Sequence, residues 1–188
     1  MAVVNIKEER EQLRQFIIKN AYFREKIILS SGKESDYYID ARRITLTSQG
    51  AYLCAQQMLH LIGDEALDAI GGPTLGADPL IGAIGVLRLQ QNKPINSFII
   101  RKAAKAHGKG QQVEGPPLKK GSRVILVDDV ATTGKAFLES IDVLSQMDVK
   151  VLKAICVVDR CEGAKEALLL RDCPLVAIFQ ASEIHHAS

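Results

Sequence analysis

The fold of this chain is decided by the stretch Val124-Ile125-Leu126-Val127-Asp128-Asp129-Val130-Ala131-Thr132-Thr133-Gly134-Lys135-Ala136-Phe137. Its leading apolar residues predict a buried strand that ends at two acids. A short turn follows, and then a helix whose apolar face is formed by Phe137, Ile141 and Leu144. Ligands of open α/β sheets bind beyond the carboxyl ends of the strands. At that position this chain has hydroxyl groups, free backbone N–H groups and a helix N-terminus, which together favour a phosphate dianion.

Two adjacent acids beside a phosphate indicate that the ligand carries Mg²⁺ or ribose hydroxyls. A carboxylate can accept hydrogen bonds from a vicinal diol, or hold the metal through water. A strand that merely ends at a solvated turn would explain the acids but not the whole pattern. A Walker A loop is excluded, because Ala136 follows Gly134-Lys135 and no glycine lies five positions before Gly134. The stretch therefore predicts a site for a Mg²⁺-complexed sugar phosphate.

Short apolar segments alternate with helical ones along the rest of the chain. The predicted strands are 69–72, 97–100, 124–127 and 151–158, with 175–179 as a candidate fifth, and helices are expected near 6–19, 48–61, 77–91, 134–147 and 162–170. Continuous apolar strands between helices are typical of a parallel sheet buried on both faces. The fold class is therefore α/β, a doubly wound, mostly parallel sheet flanked by helices. We expect one domain over residues 1–188, with a small N-terminal hood over about 1–45 that contains a hairpin-like arm.

Composition places the chain among ordinary globular proteins. Of its 188 residues 47% are apolar and 24% charged, which argues against bulk disorder, and a net charge of +2 argues against an extended nucleic-acid surface. No signal peptide and no apolar segment of about 20 residues is visible, so we expect a cytoplasmic protein. The cysteines form no C-x-x-C pair, and we expect buried structural thiols at Cys54, Cys156, Cys161 and Cys173.

Basic residues cluster in a second stretch, which begins at Arg101 and Lys102 and continues with Lys105 and His107. Residues 103–121 have no apolar periodicity and hold four glycines and two prolines. Long loops of this kind inside compact domains are usually functional lids, and a cationic lid suits a diphosphate leaving group. We therefore predict a mobile catalytic loop over about residues 102–121. The alternative is a solvated basic loop.

Three of these stretches resemble the motifs of a known enzyme family. The segment Val124–Gly134 is similar to the 5-phosphoribosyl-1-diphosphate (PRPP) motif of type I phosphoribosyltransferases. A second stretch is similar to the arm motif S-G-x-x-S-x-Y-(Y/F) of orotate phosphoribosyltransferases; it reads Ser31-Gly32-Lys33-Glu34-Ser35-Asp36-Tyr37-Tyr38-Ile39-Asp40. A third stretch is similar to the catalytic loop of the same enzymes; it reads Arg101-Lys102-x-x-Lys105-x-His107-Gly108. The three motifs in this order indicate the orotate family, and with it the type I phosphoribosyltransferase fold.

The resemblance implies an activity, a cofactor and a partner. The reaction would transfer the 5-phosphoribosyl group from PRPP to orotate, giving orotidine 5'-phosphate and diphosphate in de novo pyrimidine biosynthesis. Mg²⁺ would come with PRPP, and Asp128 and Asp129 would hold it through water. The family works as a homodimer in which the catalytic loop reaches the site of the neighbouring subunit.

The same resemblance implies roles for individual residues. Those expected to act in catalysis are Lys105, His107, Asp128 and Asp129, and either Lys105 or His107 would protonate the diphosphate. Those expected to bind PRPP are Arg101, Lys102, Lys105, His107, Asp128, Asp129, Val130, Ala131, Thr132, Thr133, Gly134, Lys135 and Ala136. Those expected to bind orotate are Thr132, Arg160, Tyr38 and Ile39.

Arg160, one of the base-site assignments, and Tyr37 of the arm both have plain structural alternatives. The guanidinium of Arg160, which follows a predicted buried strand, can hold a carboxylate with two hydrogen bonds. An ordinary ion pair of Arg160 with Asp159 or Glu162 is the alternative. Tyr37, on the arm, is at least as well suited to packing in the hood as to ligand contact.

Two positions depart from the family pattern, since Ser30 and Gly76 stand where many members have lysine. A loop of small residues around Gly76 can still bind diphosphate through backbone N–H groups. Two rival functions make different sequence predictions. A transferase for another base would lack both the arm and the basic loop, and a PRPP-sensing regulator would be expected to carry an added nucleic-acid-binding module.

Overall fold

The structure, a computed structural model, describes residues 5–28, 34–103 and 112–185. In chain order its elements are α1 (Ile6–Asn20), β1 (Tyr22–Phe23), β2 (Ile27–Ile28), β3 (Glu34–Ser35), β4 (Tyr38–Ile39), α2 (Arg42–Thr45), α3 (Ser48–Ile62), β5 (Ala69–Pro73), α4 (Asp78–Gln90), β6 (Asn96–Ile100), β7 (Val113–Glu114), β8 (Arg123–Ala131), α5 (Lys135–Ser145), β9 (Lys150–Asp159), α6 (Ala164–Leu169), β10 (Leu175–Gln180) and α7 (Ala181–His185).

The central sheet has six strands in the order β10-β9-β8-β5-β6-β7. All neighbouring pairs are parallel except β6 and β7, which are antiparallel. The chain order therefore reverses between β5 and β8, which is the kind of position where α/β sheets bind their ligands. This confirms the predicted doubly wound, mostly parallel α/β fold, including the fifth apolar strand at the sheet edge.

The sheet is buried on both faces because alternate side chains of its central strands pack into two separate cores. On β8, Ile125 and Val127 pack with helices α1, α3 and α4, whereas Val124 and Leu126 pack with α5 and α6. All four of these side chains are fully buried. Complete burial of such a side chain stabilises the fold by about 1.5–3 kcal/mol, so the central strand is held rigidly from both sides.

The N-terminal hood consists of α1 and two short antiparallel strand pairs. The side chain of Asn5 caps α1 by accepting a hydrogen bond from the N–H of Glu8. Strand β1 pairs with β4, and β2 pairs with β3, with Ile27 opposite Ser35. These strand pairs lie where the hairpin-like arm is expected, and its predicted turn at residues 30–33 lies outside the described residues.

The structure corrects three details of the sequence interpretation. Strand β8 does not end at the two acids but continues to Ala131, because it stays paired with β9 as far as Asp159. The stretch predicted as a loop without regular structure contains β7, which pairs with β6. Cys161 is exposed, whereas the other three cysteines are buried as expected. Within the described ranges no helix is long and apolar enough to cross a membrane.

Candidate active site

A cavity of about 680 Å³ lies beyond the carboxyl ends of β5, β6, β8 and β9. Ten of the predicted site residues line it, namely Tyr38, Ile39, Arg101, Lys102, Asp128, Asp129, Val130, Thr132, Ala136 and Arg160. The sheet thus brings together residues that are far apart in the sequence, because parallel strands end at one edge. Ala131, Thr133, Gly134 and Lys135 do not line the cavity, and Lys105 and His107 lie outside the described residues.

The acid pair occupies the last part of β8. The Oδ1 atom of Asp128 accepts a hydrogen bond from the N–H of Asp129 (2.9 Å), and Oδ1 of Asp129 accepts one from the N–H of Val130 (2.8 Å). Burial raises the pKa of Asp128 well above the ordinary range, and the charge of Asp129 adds to that effect. Burial also raises the pKa of Asp129. Two buried carboxylates of this kind favour a cation or hydroxyl donors beside them.

A cation that the sequence interpretation overlooked lies near the acid pair. Arg42 lines the cavity at the start of α2 and forms an ion pair with Asp40 (3.1 Å). Its positive charge lowers the pKa of Asp129, partly offsetting burial, and its hydrogen bond to Asp40 raises the pKa of Arg42 itself. The sequence feature that could have indicated it is the basic pair Arg42-Arg43, which begins two positions after the last residue of the arm motif, Asp40.

Gly76 lies against the acid pair, with no room for a side chain. A Cβ atom added there would come within 2.1 Å of Oδ1 of Asp128 and 2.5 Å of Oδ1 of Asp129. Gly76 therefore allows the loop between β5 and α4 to approach the two carboxylates closely.

The turn between β8 and α5 offers backbone donors. Gly134 adopts a left-handed conformation (φ +78°) that favours glycine, and no side chain caps the N-terminus of α5. The first N–H groups of a helix have no intrahelical partner, so an anion can accept hydrogen bonds from them. The side chain of Lys135 is 81% exposed and lies 3.8 Å from the carboxylate of Glu139.

Arg160 is a buried cation at the end of β9. Its Nε donates to Glu162 (2.8 Å) and its Nη2 to the hydroxyl of Ser35 (3.0 Å), while its guanidinium lies 4.5 Å from the ring centre of Tyr37. The ion pair with Glu162, one of the two alternatives, does form. In the part of the chain that the structure describes, Nη1 makes no hydrogen bond. It therefore remains available to a ligand in the cavity. No pattern in the sequence indicates the contact of Arg160 with Ser35, because the two residues are 125 positions apart.

The base of the predicted catalytic loop is tied to the sheet edge. The N–H of Arg101 donates to the carbonyl of Gln112 (2.9 Å), and its guanidinium lies 3.4 Å from the carboxylate of Glu114. Lys102 is exposed and lines the cavity. Arg101 and Lys102 on one side of the predicted loop and Gln112 on the other all line the cavity, so both ends of the loop lie at its edge.

The donors at this site suit a metal that the substrate also coordinates. Among residues 5–28, 34–103 and 112–185, no three His, Cys, Asp or Glu side chains are grouped so as to hold a metal ion. Asp128 and Asp129 are a pair of hard oxygen donors, and Mg²⁺ usually keeps waters and substrate phosphates among its ligands. The acid pair therefore fits a metal that arrives with a diphosphate.

The class of phosphoribosyltransferases is defined by the combination found here: this sheet topology, the acid pair of β8, the turn of small residues after it and the N-terminus of α5. In agreement, the model of the family described as "Phosphoribosyl transferase domain" matches residues 77–170, half of the chain.

Comparison with individual proteins narrows the class. The orotate phosphoribosyltransferase of Streptomyces avermitilis is 42% identical over 159 residues, which cover 85% of this chain and 87% of that protein. The crystal structure of Mycobacterium tuberculosis H37Rv orotate phosphoribosyltransferase with Fe(III) dicitrate is similar with a TM-score of 0.82 and 34% identity, over 94% of this chain and 98% of that one. The complex of the same enzyme with PRPP has a TM-score of 0.78 and 30% identity over 94% and 99%. The chain belongs to the orotate phosphoribosyltransferase family.

Proposed function

We propose that this chain transfers the 5-phosphoribosyl group from PRPP to orotate, giving orotidine 5'-phosphate and diphosphate for pyrimidine biosynthesis. The observation that carries this proposal is the cavity that contains both the buried acid pair of β8 and the buried Arg160. The acid pair suits a ribose diol and a metal, and Arg160 suits the carboxylate of orotate. Its family relatives are named for this reaction.

PRPP binds along the edge of the sheet that ends in the acid pair. The 5-phosphate accepts hydrogen bonds from the turn Ala131–Gly134 and from the first N–H groups of α5. The ribose hydroxyls donate to Asp128 and Asp129. The diphosphate lies towards Arg101 and Lys102, near the loop that contains Gly76, whose backbone can approach it closely. Mg²⁺ supplies charge neutralisation of the diphosphate when it is bound with PRPP.

Orotate binds between Arg160, Thr132 and the arm residues Tyr38 and Ile39. A nitrogen of orotate forms a bond to the anomeric carbon of PRPP as the bond from that carbon to the diphosphate oxygen breaks. The electron pair leaves with the diphosphate, while positive charge develops on the ribose ring. Catalysis therefore rests on positioning the two substrates and on cations aimed at the leaving group. Lys105 or His107, on the catalytic loop, protonates the diphosphate.

The activity test is the consumption of orotate with PRPP and Mg²⁺, followed by ultraviolet absorbance. The Lys105→Ala variant is expected to lose most of the rate, whereas Lys120→Ala is a matched control. Lys120 belongs to the same stretch, but its side chain is 83% exposed and lies 3.0 Å from Asp148, outside the cavity. Absence of orotate turnover by the wild type, or equal turnover of adenine, hypoxanthine or uracil, would refute the assignment. An unchanged Lys105→Ala rate would refute only the role of the loop.

We also propose that the protein is a homodimer in which the catalytic loop completes the site of the partner subunit. A mixture of inactive Lys105→Ala and Asp128→Asn subunits tests this, because a mixed dimer then contains one site without either change. After random exchange of subunits, activity is expected to return to about a quarter of the wild-type value. If each loop serves its own subunit, the mixture stays as inactive as its parents.

A further inference from the structure

The aromatic residues of the arm connect Arg160 to the C-terminal helix α7. The guanidinium of Arg160 lies 4.5 Å from the ring centre of Tyr37, and the ring of Tyr37 lies 5.0 Å from that of His185 on α7. Tyr22 stacks on Tyr37 at 5.8 Å, and its hydroxyl is 2.7 Å from Nδ1 of His185. The two tyrosines and the histidine thus form a closed group of three rings, with Arg160 on the face of one of them.

Helix α7 is itself held firmly against the body of the protein. Ala181 and Ile184 are buried in the core beneath it. The carboxylate of Glu183 lies 2.6 Å from Nη2 of Arg10 on α1, and it also accepts a hydrogen bond from the N–H of Gln180 (2.8 Å). His185 is therefore a fixed point against which Tyr37 of the arm packs.

Apart from these ring contacts, the described part of the arm holds Arg160 by a single hydrogen bond, to the hydroxyl of Ser35. The hydroxyl of Ser35 accepts from Nη2 of Arg160 and donates to the carbonyl of Tyr37. Strands β2 and β3 have two residues each, so they hold the arm in place only weakly. The position of the Tyr37 ring over the guanidinium accordingly depends on its contacts with Tyr22 and His185.

We propose that His185 is a positioning residue for the base site. Its ring holds Tyr37 over Arg160, and so keeps the guanidinium oriented towards the cavity. The proposal rests on the proposed function in one respect, namely that Arg160 binds the carboxylate of orotate. Arg160 is the group that touches the substrate, while His185 acts through Tyr37.

The test compares His185→Ala with His185→Phe, which keeps an aromatic ring, and with Ser182→Ala, an exposed position on the same helix. Loss of the ring contacts is expected to raise the KM for orotate about 3- to 10-fold while the KM for PRPP stays unchanged. His185→Phe and Ser182→Ala should stay close to wild type. An unchanged KM for orotate in His185→Ala, or an equal rise in both KM values, would overturn the proposal.

A second measurement does not depend on the reaction. The side chain of Arg160 is only 3% exposed, so it should react slowly with phenylglyoxal, as followed by peptide mass spectrometry. In His185→Ala and in Tyr37→Leu the reaction at Arg160 should be several times faster, and in His185→Phe it should be as slow as in wild type. Equal rates in all variants would overturn the coupling. If the wild type does not use orotate but the wild type and the variants show the expected phenylglyoxal rates, the proposed function is refuted while the coupling of His185 to Arg160 stands.

Discussion

Replacing Gly76 by alanine should disable the acid pair without unfolding the protein. The added Cβ would lie 2.1 Å from Oδ1 of Asp128, 2.5 Å from Oδ1 of Asp129 and 2.9 Å from Cγ of Asp129. Ordinary van der Waals contact begins at 3.4 Å, so the Asp128 carboxylate would have to move by about 1 Å or more. The atoms that must move are the same Oδ1 atoms that accept the backbone hydrogen bonds of Asp129 and Val130.

The expected effects can be estimated from that displacement. A misplacement of about 1 Å at a catalytic centre costs on the order of 100-fold in rate, so kcat/KM for PRPP should fall by about that factor. Overpacking of a buried site costs about 1–3 kcal/mol, which for a chain of this size lowers Tm by about 2 to 12 °C. The variant should therefore remain folded at room temperature while binding PRPP poorly.

The assay is steady-state turnover of orotate at varied PRPP, together with thermal unfolding followed by circular dichroism. Gly82→Ala is a matched control in α4, because an added Cβ at Gly82 meets no heavy atom within 4 Å. That control should keep wild-type kinetics and gain up to about 1 kcal/mol of stability, since alanine favours a helix over glycine. A Gly76→Ala enzyme with kcat/KM within threefold of wild type would refute the packing argument.

Three further outcomes are expected. Arg160→Lys keeps the charge but loses the planar fork, so the KM for orotate should rise about 10- to 100-fold with little change in the KM for PRPP, measured by initial rates at varied orotate. The raised pKa of Asp128 means that its ionised form destabilises the unliganded fold at neutral pH and that this cost disappears as pH falls through the raised pKa. Asp128→Asn should therefore raise Tm by about 2–8 °C at pH 7.5 and by less at acidic pH. The same variant should show no PRPP binding in a calorimetric titration. A Tm at pH 7.5 equal to or lower than that of the wild type would contradict the expected stabilisation. Cys161 is exposed whereas burial raises the pKa of Cys173 to about 11, so a disulfide reagent at pH 8 should modify one thiol of the native protein and four after denaturation; fast reaction of two or more native thiols would count against the structure.

The part of the site that could be predicted from the sequence is the part built from neighbouring residues. The strand β8, the turn after it and the helix α5 follow one another without interruption, and their apolar periodicity and small residues are visible directly. The order of strands and helices indicated a parallel sheet, and in such a sheet the strand ends must meet at one edge. The roles predicted for Asp128, Thr132 and Arg160 came from the family resemblance, and all three residues line one cavity.

Only the tertiary structure decided how that site is supported. Three contacts between segments distant in sequence support it: the close approach of Gly76 to the acid pair, the hydrogen bond of Arg160 to Ser35, and the ring contact of His185 with Tyr37. No local pattern specifies such contacts, because they depend on how the hood, the sheet and the C-terminal helix pack together. Thus the sequence by itself determined the fold class and the local acid-and-turn motif, through periodicity and residue chemistry. The packing that brings Gly76, Arg160 and the arm to that motif was decided by three-dimensional contacts.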